Sequence, residues 1–315
     1  MYYIGIDLGG TNIAAGIVDE KGQIIYKSNR PTLSGRPIEE VVKDMAGLSF
    51  DMINSAGLDI SQIKAIGVGS PGTVDSDRGV IVYSNNLRMD NVPLRKMLAE
   101  YFEDKPINIE NDANVASYGE YILDGKNEKS FVFITLGTGI GSGVIIDNKL
   151  YRGFNGAGAE LGHMIINMNG ARCTCGNCGC WEAYASVTAL IRQTKTAMQE
   201  DHESLMNEWV NEHGTVNGRA AFECAKAGDK TAESVVKKYQ EYIACGLINV
   251  LNIFQPEKIV IGGGISKEGG YLLDRVKEIT YAGDYNKYLK KTEIRIAKEK
   301  NDAGIIGAAL IERSC

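Results

Sequence analysis

The sequence predicts an α/β protein built from two copies of one unit, and repeated segments carry this prediction. The strand meander YIGIDLGGTNIAAGIVDEKGQIIY at residues 3–26 reappears at 131–152 as FVFITLGTGIGSGVIIDNKLYR. Two later segments, 64–69 and 107–113, are matched by 258–261 and 294–303, the second match setting Asn111-Asp112-Ala113 against Asn301-Asp302-Ala303. We therefore expect two related α/β domains with a ligand cleft between them.

The first copy starts with alternating Ile- and Tyr-rich segments that are separated by glycine turns. This pattern predicts strands at 2–8, 13–18 and 23–27, with a tight turn at Gly9–Asn12. No helix follows the first strand, which argues against a dinucleotide-binding βαβ opening. Apolar spacing and turn residues then predict the remaining elements: helices at 38–56, 92–102 and 113–123, and strands at 64–69 and 107–109.

The second copy repeats the meander and carries two insertions. We expect strands at 131–136, 143–146 and 150–152, a glycine turn at 137–141, and a long buried helix at 231–254. The insertions are a cysteine-rich loop and a helical stretch that begins at Ser186. The predicted domains are 1–112 plus 303–315, and a larger one, 113–302, that holds both insertions.

Glycine turns recur at the ends of predicted strands. They lie at Gly9–Asn12, Gly137–Gly141 and Gly262–Gly264. Such turns expose backbone N–H groups that can bind phosphate, although any one of them could be a plain hairpin turn. Three of them on a duplicated scaffold favour a nucleotide, and Asp7 at a strand end favours a role with Mg²⁺.

A cysteine-rich loop follows the second meander. Cys173, Cys175, Cys178 and Cys180 fall within eight residues, and His163 lies ten residues before the first of them. Thiolates with one imidazole are typical zinc ligands. Tetrahedral zinc takes four ligands, so one of these five is a spectator. Disulfides between such close cysteines would be strained, and we see no secretory signal at the N-terminus, where Met1 leads into a strand.

The overall charge bears on the choice of partner. The formal net charge is −6 and the pI about 5.3, which opposes binding to nucleic acid or to an anionic membrane, and so disfavours a zinc knuckle. We find no apolar run of membrane-spanning length. The sequence therefore predicts a cytoplasmic protein that binds small molecules.

Several motifs in order along the chain resemble the ROK family of sugar kinases and regulators, which has an actin-like, ribonuclease H-like ATPase fold. They are DLGGTN at 7–12, SPG at 70–72, NDAN at 111–114, LGTGIGSG at 136–143, ELGH at 160–163, CTCGNCGCWE at 173–182 and GGGIS at 262–266. Within this family the sequence looks most like the bacterial glucokinases. The resemblance implies an ATP-dependent sugar kinase of carbohydrate metabolism and glycolysis.

The resemblance also implies roles for individual residues. Asp112 would be the general base that takes the proton of the sugar's 6-hydroxyl. The implied sugar-binding residues are Gly72, Asn86, Asn111, Asp112, Glu160, His163 and Glu182. The implied ATP-binding residues are Asp7, Gly9, Gly10, Thr11, Asn12, Gly137, Thr138, Gly139, Gly141, Gly263 and Gly264. The chemistry agrees, since phosphoryl transfer needs phosphate donors, Mg²⁺ and a carboxylate beside the attacking hydroxyl; a plain helix N-cap is the alternative role of Asp112.

In such proteins zinc is held by one histidine and three cysteines. The matching residues are His163, Cys173, Cys175 and Cys180, and Cys178 replaces a residue that is not a ligand in many relatives. The resemblance further implies a structural role for Zn²⁺ and a homodimer or homotetramer.

Glucose is the expected substrate. The alternatives are N-acetylmannosamine, N-acetylglucosamine, fructose and allose, or a non-catalytic role as a zinc-stabilised sugar-binding module or a sugar-sensing regulator. Regulators of the family carry a helix-turn-helix segment before the first glycine hairpin, and here that hairpin begins within ten residues of Met1.

Overall fold

A computed structural model describes residues 1–125, 127–298 and 302–314 of the chain. Strands and helices are mixed throughout these residues, which confirms the predicted α/β class. The chain divides into two compact units. Unit 1 comprises Met1–Phe133, Gly143–Ala159 and Glu299–Cys315, and unit 2 comprises Ile134–Ser142 and Glu160–Lys298. The predicted counterpart of Asn111, Asn301, lies outside the described residues.

The strands and helices have the following bounds. The strands are β1 Tyr2–Leu8, β2 Asn12–Asp19, β3 Ile24–Pro31, β4 Ile63–Ser70, β5 Thr73–Asp75, β6 Val80–Ser84, β7 Met89–Val92, β8 Ile107–Asn111, β9 Ser130–Leu136, β10 Ile140–Ile146, β11 Lys149–Leu150, β12 Lys258–Gly262 and β13 Glu293–Ile296. The helices are α1 Ile38–Ser55, α2 Leu94–Ala99, α3 Asp112–Glu120, α4 Glu182–Ala185, α5 Val187–Glu200, α6 Leu205–His213, α7 Ala220–Lys226, α8 Lys230–Phe254, α9 Gly270–Gly283 and α10 Ala303–Leu310.

Two five-stranded sheets repeat the same strand order. The first has the order β3-β2-β1-β4-β8 and the second the order β11-β10-β9-β12-β13. In the first sheet β1 to β3 form an antiparallel meander, and β4 and β8 add to it in parallel. In the second sheet β10 and β11 are antiparallel and β12 and β13 are parallel. The duplication predicted from the sequence is confirmed by this matching order.

The first sheet is covered on both faces. Successive residues of β1 such as Tyr3 and Ile4 are fully buried, as expected for a strand between two helical layers. Helix α10 packs against β1, β4 and α3. Its backbone comes so close that a Cβ added at Gly5 would lie 1.9 Å from the carbonyl oxygen of Ile305, so only glycine fits there. Helix α3, which the predicted domain limits give to the second domain, lies in unit 1 with α10, and unit 1 continues to Phe133.

Helix α9 and a small sheet were not predicted. Strands β5, β6 and β7 form a separate three-stranded sheet. The helix expected at 92–102 is shorter: α2 starts after Pro93 and ends at Ala99. Short, partly polar strands give a weak periodic signal, which explains the omission. Among the described residues no helix is both long and apolar enough to cross a membrane.

Candidate active site

The first glycine turn, at residues 9–11 between β1 and β2, is anchored through its carbonyl groups. Thr32 Oγ1 donates to Gly9 O at 2.6 Å, Ser34 Oγ donates to Gly10 O, and the Thr32 N–H donates to Thr11 O at 2.8 Å. The N–H groups of Gly10 and Thr11 bond to none of the described residues. Because they have no hydrogen-bond partner in the described part of the chain, these N–H groups are available for an anion. Neither Thr32 nor Ser34 stands in a pattern that would reveal this contact from sequence.

Asp7 lies near the end of β1, just before this turn. Its carboxylate bonds to none of the described residues, and a Cβ added at Gly304 would lie 2.6 Å from Asp7 Oδ2, so the carboxylate faces the first turn of α10. Burial, with a smaller effect of neighbouring Asp112, raises the pKa of Asp7 to about 6. Mg²⁺ prefers carboxylate oxygens, so this acidic pair is a candidate site for it.

The start of α3 carries the predicted base. Asn111 is the N-cap, because its Oδ1 accepts hydrogen bonds from the N–H groups of Ala113 at 2.9 Å and Asn114 at 3.2 Å. Asp112 is the first helical residue, and its Oδ1 accepts from Ala113 N–H at 2.9 Å. Burial raises the pKa of Asp112, against a smaller opposing effect of that N–H. Asp112 is therefore not the helix cap, and its Oδ2 has no partner among the described residues.

The other predicted sugar-binding residues of unit 1 lie close to this helix start and to the first turn. Asn111 Nδ2 donates to Gly72 O at 3.0 Å. Gly72 has a φ of 101°, which favours glycine. A Cβ added at Gly10 would lie 3.4 Å from Asn86 O, so the exposed Asn86 adjoins the phosphate turn. The structure thus brings together the predicted phosphate and sugar residues of unit 1, including Asn12, which begins β2 and whose carbonyl accepts from the Gly9 N–H at 2.9 Å.

The second glycine turn, in unit 2, is held in the same way as the first. Gly137 O accepts from Val187 N–H at 2.9 Å, Thr138 O accepts from Thr188 Oγ1 at 2.7 Å, and Gly139 O accepts from Gly137 N–H at 3.0 Å. The N–H groups of Thr138 and Gly139 bond to none of the described residues. In both turns the carbonyl groups are hydrogen-bonded, and two N–H groups have no partner among the described residues. Such N–H groups can bind phosphate.

The remaining nucleotide candidates also lie in unit 2. Gly141 was predicted in the turn, but it lies within β10. Gly263 follows β12 with a φ of 91°, and a Cβ there would lie 2.2 Å from Leu136 O. Nothing lies within 4 Å of a Cβ added at Gly264. A flat group can approach the backbone at this place.

Glu160, His163 and Glu182 also belong to unit 2. Glu160 precedes the 3₁₀ turn Leu161–His163, whose last N–H donates to Glu160 O at 3.1 Å. The main chain of this turn is fixed by Ser142 Oγ, which accepts from Leu161 N–H at 3.0 Å. Glu182 begins α4, and its carboxylate reaches the second glycine turn.

A group of metal-ligand side chains lies next to these residues. The ligand atoms of His163, Cys173, Cys175 and Cys180 all lie within 4.8 Å of one another, with Cys175 Sγ and Cys180 Sγ 3.6 Å apart. Four donors about 2.3 Å from one tetrahedral cation would be separated by about 3.8 Å. The donor set and its spacing therefore fit a zinc-like cation, and Cys178, which is exposed, lies outside the group. Burial raises the pKa of Cys180 to about 12, so cation binding would have to displace its proton.

The comparison with known families decides the classification. The model of the ROK family matches residues 3–314. The chain belongs to the ROK family. The family resemblance predicted from its motifs is confirmed, and it extends over nearly the whole sequence.

Several ROK proteins resemble the chain over most of its length. The glucokinase of Halalkalibacterium halodurans is 35% identical over 309 residues, which are 97% of this chain and 93% of that protein. The crystal structure of a ROK family glucokinase from Streptomyces griseus, in complex with glucose and AMPPNP, is 32% identical with a TM-score of 0.81, and each chain is covered to 100%. This similarity confirms the predicted ROK fold.

The ROK relatives also include repressors. The xylose repressor of Caldicellulosiruptor bescii is 30% identical over 305 residues, which are 96% of this chain and 76% of that protein. Membership of the ROK family therefore does not by itself separate a kinase from a regulator, and the residues of the site must do so.

Proposed function

We propose that this ROK protein is an ATP-dependent sugar kinase that phosphorylates the 6-hydroxyl of a hexose, with glucose as the preferred substrate. The observation that carries the proposal is Asp112, a partly buried carboxylate with a raised pKa that is not used to cap its helix. The similarity to named glucokinases over nearly the whole chain supports the same conclusion.

In this mechanism Asp112 accepts the proton of the 6-hydroxyl as that oxygen bonds to the terminal phosphorus of ATP, the bond from that phosphorus to the β,γ-bridging oxygen breaks, and ADP leaves with the electron pair. A general base of this kind typically contributes about 10² to 10⁴-fold in rate. Asn111 and Gly72 hold the start of α3, and Asn111 together with Asn86, Glu160, His163 and Glu182 would bind the remaining hydroxyls of the sugar. These roles follow the family resemblance residue by residue.

The phosphates of ATP are assigned to the two glycine turns, whose unpaired N–H groups are described above. Mg²⁺ bound with ATP would neutralise charge that develops on the phosphates, and Asp7 would face it. Gly263 and Gly264 would lie against the adenosine.

We further propose that the group of His163, Cys173, Cys175 and Cys180 holds a structural Zn²⁺. The cation would fix the loop from Glu160 to Glu182, and thereby the side chains at its two ends. His163 could orient one ring nitrogen to the cation and the other to the sugar. Reduced thiols of this kind, and the use of ATP, go with a cytoplasmic location.

A second candidate function is a non-catalytic sugar sensor, which the similarity to xylose repressors favours. Kinases for other hexoses or N-acetylhexosamines are a narrower alternative. A coupled assay of ADP release with glucose, fructose, allose, N-acetylglucosamine and N-acetylmannosamine separates them. We expect turnover that is fastest with glucose; sugar binding without ADP release would support the sensor. A homodimer or homotetramer, proposed by family analogy, is checked by sedimentation.

A further inference from the structure

Glu110 is a buried carboxylate directly before the Asn111–Asp112 pair. It lies in β8 beside Gly69 of β4 and is only 2% exposed. A carboxylate removed from water is costly unless each oxygen is hydrogen-bonded. Here each oxygen has two donors, so the position of this side chain is closely determined.

One oxygen of Glu110 holds the first turn of α3. Its Oε1 accepts from the Asn111 N–H at 3.0 Å and from Asn114 Nδ2 at 3.0 Å. The Asn114 N–H in turn donates to Asn111 Oδ1. Asp112 lies in the chain between these two residues, so Glu110 holds the backbone before the proposed base and a side chain of the helical turn after it.

The other oxygen connects this turn to distant parts of unit 1. Glu110 Oε2 accepts from Arg152 Nε at 2.5 Å and from Ser76 Oγ at 3.1 Å. Arg152 follows β11 and also donates to Ser314 Oγ at 3.0 Å through Nη2. The side chains of Arg152 and Glu110 are 21% and 3% exposed, so the pair is screened little by solvent.

We propose that Glu110 and Arg152 form a positioning pair, which holds the Asn111–Asn114 turn so that the Asp112 carboxylate keeps its orientation toward the attacking hydroxyl. This inference rests on the proposed kinase function. Neither residue contacts a reacting atom in this account; both act through Asp112. The competing explanation is an ion pair that contributes to stability alone.

A positioning role and a role in stability alone predict different kinetics for the variants. Loss of positioning lowers kcat and leaves the KM for ATP near its wild-type value, because the glycine turns are untouched. A misplacement of about 1 Å at a reacting group can cost about 10²-fold in rate. We therefore expect Glu110→Gln and Arg152→Met to lower kcat by about 10²-fold, and Arg152→Lys, which can still donate to Glu110, to restore part of it.

The pH profile gives a readout that a purely structural role would not move. In Glu110→Gln the positive charge of Arg152 is no longer offset by the Glu110 carboxylate and favours ionised Asp112, so the acid limb of the kcat/KM profile moves to lower pH. In Arg152→Met the unpaired Glu110 carboxylate moves that limb to higher pH. We expect the acid limb to shift in opposite directions in the two variants, with a similar loss of kcat in both.

Lys291→Met is the matched control. Lys291 Nζ lies 2.8 Å from Asp284, a carboxylate that is 0% exposed in unit 2, so its loss also strands a buried charge. We expect a lower unfolding temperature for this variant with an unchanged kcat and pH profile. Ser76→Ala, which removes one donor from Glu110, is the milder test if Glu110→Gln and Arg152→Met fail to fold, and we expect a several-fold lower kcat.

The wild-type enzyme is assayed with glucose and ATP alongside the variants. Absence of wild-type turnover would count against the proposed function. Normal wild-type turnover would instead overturn the positioning role if the folded variants kept kcat within about twofold, or if Lys291→Met lost activity as they did.

Discussion

The carboxylate of Glu182 accepts a hydrogen bond from the backbone N–H of Ile140, with Oε2 at 2.9 Å. Its other oxygen, Oε1, lies 3.4 Å from Thr174 Oγ1 and 3.6 Å from Cys173 Sγ. A Cβ added at Gly139 would lie 2.3 Å from Oε2, so this carboxylate lies directly against the second glycine turn. One side chain therefore connects the cysteine loop to the second glycine turn, and the conformation of either segment affects the other.

The first prediction concerns this contact. Glu182→Ala removes the acceptor, so the second glycine turn loses a support and ATP binds more weakly, by about 10-fold for one lost hydrogen bond to a charged group. Glu182→Gln keeps an acceptor for Ile140 and should retain most of the ATP affinity. Titration calorimetry with a non-hydrolysable ATP analogue measures both. Equal ATP affinity in the alanine variant and the wild type would show that the contact does not support the turn.

The second prediction tests the base. Asp112→Asn keeps the size of the side chain but cannot accept the proton, so kcat should fall by at least about 10²-fold. The unfolding temperature should change little, because Asn111 rather than Asp112 caps α3, and sugar affinity should change little, because the asparagine amide can still hydrogen-bond a sugar hydroxyl. Steady-state kinetics and glucose titration check these outcomes. Turnover close to that of the wild type would refute the assignment.

The third prediction concerns the metal group. Cys175→Ala removes one of the four clustered donors, so bound zinc should be lost and sugar affinity should fall by at least about 10-fold. Cys178→Ala is the matched control, since Cys178 is exposed like Cys175 but lies outside the group. Elemental analysis and glucose titration of both variants provide the measurements. Unchanged zinc in Cys175→Ala, or its loss in Cys178→Ala, would contradict the ligand set.

The fourth prediction follows from the pKa of Asp7. Its value rises from 3.8 to about 6 on folding, so the native state binds this proton more tightly and stability is lost as pH rises from about 4 to about 6. At pH 8 without added cation, Asp7→Asn should therefore raise the free energy of unfolding by about 2 to 3 kcal/mol. The gain should disappear near pH 4.

Urea unfolding at pH 8, 6 and 4 measures this difference. Asp147→Asn serves as the control, because Asp147 is exposed at a turn and the same chemical change is made there without a buried carboxylate. A gain for Asp7→Asn that is the same at all three values would mean that the burial of its charge is not the cause.

Much of the fold was predictable because its signals are local. The strand–glycine–strand meander at 3–26 and its repeat at 131–152 depend on alternation and turn chemistry within short windows, and both sheets formed as expected. Helix α1 was predicted almost to the residue, since its apolar positions repeat at helical spacing. The small sheet of β5 to β7 was missed because its strands are short and partly polar.

The residues of the candidate site were also recognisable as motifs, but their contacts were not. The sequence alone marked Asp112 and the cysteine loop, because carboxylates, thiolates and glycine turns are distinctive at short spacing. Only the tertiary structure decided that Asn111 is the cap of α3 and that Cys178 lies outside the metal group.

The sequence by itself determined a duplicated α/β chain of the ROK family, with its glycine turns and its cysteine-rich loop. The tertiary structure decided which side chains support them. Glu110 meets Arg152, and Ile140 meets Glu182, across 42 residues of chain in each case. Such pairs leave no periodic trace in sequence, because a long-range hydrogen bond depends on where the folded backbone places both partners rather than on the residues beside them.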